Sequence, residues 1–201
     1  MSITTSMFQC LIGIQCEDFV ILAADQMSTQ SIIIMKSDMV KLYKMSEKLV
    51  MGFNGSVGDT LQLSQFVATN MVLYQIKNEY QLDTAALVHF TRKTLADGLK
   101  SGKPSLVNML IAGYDDTAGA QLYSVDFLAA CVKCPYAAHG YGGLFCMSVL
   151  DYYYKPSLTE SEAYEILKLC VHEIHRRLFL NLTNFHVEIV SAVGVRTLPV
   201  I

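Results

Sequence analysis

Phe8-Gln9-Cys10-Leu11-Ile12-Gly13-Ile14-Gln15-Cys16-Glu17-Asp18-Phe19-Val20-Ile21-Leu22-Ala23-Ala24-Asp25 is the stretch from which the fold can be read. Two apolar runs, residues 8–14 and 19–25, are rich in Ile, Val and Leu, and four polar positions, Gln15 to Asp18, part them. Runs of this length and composition, broken so briefly, predict two strands joined by a tight turn.

Short strands are expected to continue at residues 32–35, 40–45 and 49–53. The period then changes. Leu63, Phe66, Val67, Met71 and Tyr74 recur at three and four residues, which predicts an amphipathic helix over about 57–77. A second helix should begin after Asp83, a good N-cap, with Val88, Leu95 and Leu99 on one face. Residues 107–114 and 121–126 return to strand character. A Gly-rich loop over 139–143 leads into a helix reaching about Tyr153, and Pro156 breaks the chain. Thr159 with Glu162 makes a capping box for a last helix, whose stripe is Ala163, Ile166, Leu167, Cys170, Val171, Ile174 and Leu178. Strands near 185–191 and 195–200 close the chain. Strands grouped with strands pair antiparallel and need helices to cover their outer faces. The expectation is an α+β domain of two stacked antiparallel sheets with helices outside, spanning 1–201 as one unit with 1–8 as a short extension.

Hydrophobic residues make up 52% of the 201 and charged residues 16%. That excludes a disordered chain, and a charged fraction below the usual ~25% points to surface buried against partners. A net charge of −3, with no Lys/Arg stripe, excludes nucleic acid as a partner. The 17-residue uncharged run 134–150 is interrupted by Pro135, Gly140, Gly142 and Gly143 and is too short for a membrane span. The first basic residue is Lys36, so no signal-peptide n-region is evident. A soluble intracellular protein with free thiols at Cys10, Cys16, Cys131, Cys134, Cys146 and Cys170 is expected.

Three constellations invite chemistry and do not carry it. Cys131-Val132-Lys133-Cys134 is a lone CxxC without the second pair a structural zinc site needs. His172-Glu173-Ile174-His175 spaces its histidines by three rather than four, so it is not the zinc-protease helix motif. Gly140-Tyr141-Gly142-Gly143 lacks the Lys and Ser/Thr of a phosphate loop. His139 is expected to be a structural or interface residue of that loop, with no positioned Ser or Cys beside it. No metal or cofactor is expected.

Several patterns resemble the β subunits of the 20S proteasome. Gly13-Ile14 followed by residues 19–25 is similar to that family's opening hairpin, and Lys41 stands where the family keeps its catalytic Lys. Gly55-Ser56-Val57-Gly58-Asp59 resembles its Gly-x-x-x-Asp turn. Leu110 to Asp115 looks like its middle strand, and Ala138 to Gly142 with Leu150-Asp151 like its Gly-rich turn and following helix. Within the family the likeness is greatest to the non-catalytic member at the fourth place of the ring, through Phe90-Thr91-Arg92-Lys93, Leu95-Ala96-Asp97 and Asn181-Leu182.

The resemblance implies the four-layer αββα sandwich of N-terminal nucleophile hydrolases. It implies partners, too: proteasome α and β subunits in stacked heptameric rings, a chymotrypsin-like β neighbour, and residence in cytoplasm and nucleus. The family's catalytic position is an N-terminal Thr four residues before the first-strand Gly; counting back from Gly13 gives Gln9, whose amide is no nucleophile. Thr4 and Thr5 lie roughly 13 Å too far along an extended chain. Cys10 is one residue out of register, which turns a strand side chain to the opposite face. Active members carry a Ser where Gly143 stands, and an Asp and a Ser after the last long helix. Here no Asp lies beyond Asp151, and Arg177, Leu178 and Asn181 surround the matching place. Asp25 and Lys41 are then expected to persist as a buried or half-buried ion pair kept for packing. No catalytic residue is expected. The competing readings are an active threonine peptidase, a homomeric bacterial-type peptidase and a monomeric binding module.

Overall fold

β1 (Leu11–Gln15) and β2 (Phe19–Asp25) form the expected antiparallel pair, Leu11 opposite Ala24 and Gln15 opposite Val20. The Cys16 N–H donates to the Phe19 carbonyl at 2.8 Å and closes the turn. Cys16 itself is buried, and that burial pushes its thiol up to about 12. The computed structural model describes residues 8–30 and 33–201, so Thr4, Thr5, Ile32 and most of the expected N-terminal extension lie outside the described residues.

Successive strand side chains leave in opposite directions. Along β2, Phe19, Ile21 and Ala23 enter one core and Val20, Leu22 and Ala24 another. Burial on both faces is why this run is apolar throughout instead of alternating.

The chain continues through β3 (Ser28–Gln30), β4 (Ile33–Lys36), β5 (Leu42–Ser46) and β6 (Leu49–Gly55). α1 (Val57–Asn78) and α2 (Thr84–Lys100) follow, then β7 (Val107–Asp115), β8 (Gly119–Val125), β9 (Cys131–Lys133) and β10 (Tyr136–His139). α3 (Gly140–Tyr153), α4 (Glu160–Arg177), β11 (Phe185–Ser191) and β12 (Gly194–Leu198) complete it. One five-stranded sheet runs β10-β1-β2-β11-β12 and the other β5-β6-β7-β8-β9, with β3 and β4 as a separate ribbon. Every ladder is antiparallel.

Three cores separate four layers. Leu63, Val67 and Met71 of α1 and Leu87, Val88 and Leu95 of α2 pack on Met51, Phe53, Met109 and Ile111 of one sheet. Leu11, Leu22, Leu42, Val50, Leu110 and Leu122 fill the space between the sheets. Cys146 and Leu150 of α3 and Ile166, Cys170 and Ile174 of α4 pack on Ile12, Ile21 and Val187 of the other sheet. This is the expected αββα sandwich. No helix among the described residues is long and apolar enough to cross a membrane.

The caps read from the sequence are formed. Asp83 accepts from the Ala86 N–H at 2.6 Å, and Thr159 and Glu162 make a reciprocal box. Ser56 caps α1 through the Asp59 N–H, while Asp59 accepts the Leu106 N–H at 3.2 Å and ties the helix start to the entry of β7. Two corrections concern short elements. The stretch 139–143 is not a loop: His139 ends β10 and Gly140 opens α3 directly. β3, β9 and β10, of three or four residues each, carry too little pattern to be seen in advance; their partner strands define them.

Candidate functional site

Asp25 ends β2 and is wholly buried. Its Oδ1 accepts the Cys10 N–H at 2.7 Å, and its Oδ2 accepts the Met27 N–H at 3.1 Å and Lys41 Nζ at 2.7 Å. Lys41, 4% exposed, also donates to the Met27 carbonyl at 2.7 Å. Burial pushes the Asp25 carboxyl up and the Lys41 ammonium down, and the attraction between the two opposes both shifts. The expected ion pair is therefore present, with a backbone carbonyl as a third member that the sequence did not announce. Neither group has a hydroxyl or thiol among its hydrogen-bond partners within the described residues.

Gln9 lies just before β1 and is 7% exposed. Its Oε1 accepts the Gly55 N–H at 3.0 Å and its Nε2 donates to the Gly55 carbonyl at 3.2 Å. The carboxamide thus pairs with the end of β6 as a peptide group of a neighbouring strand would, and both of its polar atoms are used. Cys10 points the other way. It belongs to the core under α3 and α4, where Cys146 and Cys170 also lie. Hydrogen bonding to Cys10, with burial, holds the Cys146 thiol well above the usual range; hydrogen bonding to Cys146, with burial, does the same for Cys170. Thiols held protonated in this way are poor nucleophiles.

Above Gln9 sits the start of α3. Gly140 has φ +82°, and a Cβ there would lie 1.9 Å from the Gln9 carbonyl oxygen and 2.6 Å from Asn54 Nδ2. Asn54 Nδ2 is buried with no hydrogen-bond partner among the described residues. Gly143 is in the first turn of α3 against Ala138. Arg177 pairs with Glu173 at 2.7 Å on the surface, Leu178 caps α4, and Asn181 is exposed.

The family profile described as "Proteasome subunit" matches residues 7–190. The chain belongs to the proteasome subunit family. It is 39% identical over 188 residues to "Proteasome subunit beta type-2" of Oryza sativa, covering 94% of this chain and 88% of that one. It is 37% identical over 187 residues to "Proteasome subunit beta type-4" of Saccharomyces cerevisiae, covering 92% and 94%. With "Probable proteasome subunit beta type-4" of Schizosaccharomyces pombe the figures are 36% over 193 residues, 96% and 100%.

Elsewhere in this proteasome-family chain, one site residue departs from expectation. His139 does have a serine beside it: Ser124 Oγ lies 3.0 Å from His139 Nε2. The two are on strands of different sheets, β8 and β10, so the contact ties one sheet to the other. Their separation of 15 residues and their lack of ladder pairing left no sequence signal. Burial holds the imidazole below its ordinary value, against a hydrogen bond with the Met109 backbone and the charge of Asp126. A histidine whose native pKa is depressed contributes stability above its unfolded value near 6.5, and that stability is lost as pH falls through the native value. Thermal unfolding of the chain should show a midpoint that declines below about pH 6.5. The decline should be smaller in His139→Gln; an unchanged decline would remove His139 as its source.

The CxxC is also resolved. Cys131 packs with the α1–α2 core and Cys134 with the core between the sheets. Three steps of extended chain put their Cα atoms about 10 Å apart, beyond disulfide reach. All six cysteines are free thiols. His175 Nε2 lies 2.7 Å from the Leu182 carbonyl, and no group of three or more His, Cys, Asp or Glu among the described residues could hold a metal.

Proposed function

We propose that this chain is a non-catalytic, structural β subunit of the 20S proteasome core. It helps to wall the chamber in which the particle degrades proteins in ATP- and ubiquitin-dependent turnover, in cytoplasm and nucleus. Its partners are the α and β subunits of stacked heptameric rings, including a chymotrypsin-like β neighbour.

One observation carries the reading: the Gln9 carboxamide is locked on Gly55. Acyl transfer by this family's chemistry needs a hydroxyl or thiol in register and unoccupied N–H donors for the developing oxyanion. At residue 9 there is an amide, and the Gly55 N–H is already consumed by it. The arrangement serves packing, joining the chain before β1 to the end of the facing sheet.

An electrophile selective for N-terminal threonine should leave this chain unmodified in intact particles, as read by peptide mapping. The rival reading, an active threonine peptidase, requires cleavage to a leading Thr and an adduct on it. Gln9→Thr should not create peptidase activity, because without cleavage before residue 9 there is no free α-amine to act as base. The variant should instead lose about 1–3 kcal/mol, since a Thr side chain cannot reach both polar groups of Gly55. A labelled wild-type chain, or hydrolysis of a fluorogenic peptide by the isolated polypeptide, would reverse the assignment.

A further inference from the structure

Asn54-Gly55 is the single Asn-Gly pair in the chain; the other asparagines are followed by Met71, Glu79, Met109, Leu182 and Phe185. Asparagine is thermolabile, and most so before glycine, where no side chain hinders attack by the next backbone nitrogen on the asparagine amide. Such a pair ordinarily marks a tight turn. Here it stands at the end of β6, with Asn54 opposite Asn108 and Gly55 opposite Val107. Packing demands the glycine. A Cβ at residue 55 would lie 2.5 Å from the Leu106 carbonyl oxygen and 3.0 Å from Val107 Cα, both main-chain atoms. The chemical hazard therefore cannot be relieved at residue 55 without moving the backbone.

The nitrogen that would attack is the Gly55 N–H, and it lies on the edge of β6 away from β7. Alternate residues of a strand present their N–H groups to the same edge, and the Phe53 N–H on that edge donates to the Lys41 carbonyl at 2.9 Å. The β5 ladder ends where Leu42 pairs with Gly52, short of Gly55. Gln9 takes over where β5 stops: Oε1 accepts the Gly55 N–H at 3.0 Å and Nε2 donates to the Gly55 carbonyl at 3.2 Å.

We propose that Asn54-Gly55 is a deamidation site that the Gln9 carboxamide holds closed. In the reaction hydroxide removes the Gly55 N–H proton, the nitrogen attacks Asn54 Cγ, and the Cγ–Nδ2 bond breaks. Nδ2 takes a proton from water and leaves as ammonia, which regenerates the hydroxide and leaves a cyclic imide. Water opens the imide at Cγ to give aspartate, or at the backbone carbonyl carbon of residue 54 to give an isoaspartyl linkage. One water is consumed and one ammonia released, with no oxidant or reductant. Attack requires the Gly55 peptide to turn toward the Asn54 side chain, and that turn breaks both bonds to Gln9. Either product disrupts the fold. Asn54 is 2% exposed and its Nδ2 has no partner among the described residues, so a carboxylate there is a buried charge without compensation. The isoaspartyl linkage lengthens the backbone of β6 and ends its register with Val107. A lapse of the Gln9 lock thus becomes an irreversible mark on the chain. The inference goes beyond the proposed function and does not depend on the ring reading.

Peptide mapping of the assembly as isolated from cells, after incubation in warm, mildly alkaline buffer, tests it. The readout is the amide-to-acid mass shift of the peptide holding Asn54, with the other asparagines as internal references. Gln9→Met keeps the length of the side chain and removes both of its polar atoms. Asn54 should convert roughly tenfold faster in that variant than in the wild type, the factor that corresponds to about 1.4 kcal/mol of lost hydrogen bonding. Ile189→Val, which loosens the core under α3 and α4, should convert at close to the wild-type rate. Equal rates in the wild type and Gln9→Met would overturn the proposal. So would equal acceleration in both variants, because general loosening would then be the cause. Amide hydrogen exchange in the wild type gives a check that needs no variant to fold: the Gly55 N–H should be protected as well as that of Phe53. Exchange at the rate of an open strand end would show that Gln9 does not hold it, and would equally overturn the proposal.

Discussion

Lys41→Met is expected to destabilise the chain by about 3–5 kcal/mol, because it strands a buried charge. Asp25 is wholly buried, and without the ammonium its carboxylate keeps only the Cys10 and Met27 N–H donors. The Met27 carbonyl loses its cation as well. The loss should depend on pH in a defined direction. With Lys41 gone, nothing offsets the desolvation that already pushes Asp25 up, so its native pKa rises further above its unfolded value. A raised native pKa gives stability that is present below the unfolded value and lost as pH rises through the native one. The penalty of Lys41→Met in urea denaturation should therefore be largest near pH 8 and shrink toward pH 5. A penalty equal at both ends would mean that removing Lys41 does not raise the Asp25 pKa. An Asp25→Leu/Lys41→Met double variant should be less damaged than the sum of its singles, since the stranded charge is gone.

Gly140→Ala should cost about 2–5 kcal/mol, combining backbone strain with overpacking. The residue sits at φ +82°, where a side chain is strained, and the new Cβ would fall 1.9 Å from the Gln9 carbonyl oxygen. That oxygen belongs to the main chain and cannot swing aside as a flexible side-chain tip could. Relief requires the start of α3 or the chain at Gln9 to move, and movement of Gln9 breaks its two bonds to Gly55. Gly119→Ala is the matched control: φ is +69°, yet nothing lies within 4 Å of the added Cβ. It should cost only about 1 kcal/mol, from the backbone alone. Equal losses in the two variants would show that α3 and the start of β1 are not pressed together as the geometry indicates.

The Gly140 contact marks where sequence reading stops. That reading rests on local period and local chemistry, and both are strong wherever an element is long. α4 announces itself through its capping box and apolar stripe, and β2 through a continuous apolar run. The Asp25–Lys41 pair and Gln9 come from register with family motifs rather than from composition. Cys10 and Gln9 turn to opposite faces because adjacent strand residues must. Contacts that depend on two distant segments meeting were not legible. Gln9 and Gly55 are 46 residues apart and are joined through a backbone group that every residue possesses. Ser124 and His139 meet across sheets, and β9 and β10 are too short to signal themselves.

By itself the sequence determined the order of the longer elements, the caps at Asp83 and Thr159, the apolar run of β2, and an amide rather than a hydroxyl at residue 9. All of these follow from side-chain chemistry and from periodicities of 2 and 3.6 along a single segment. Only the tertiary structure decided what that amide does and which groups share the buried charge of Asp25 and Lys41. These outcomes depend on distances between segments remote in the chain, and such distances come into being only when the sheets stack and the helices close over them.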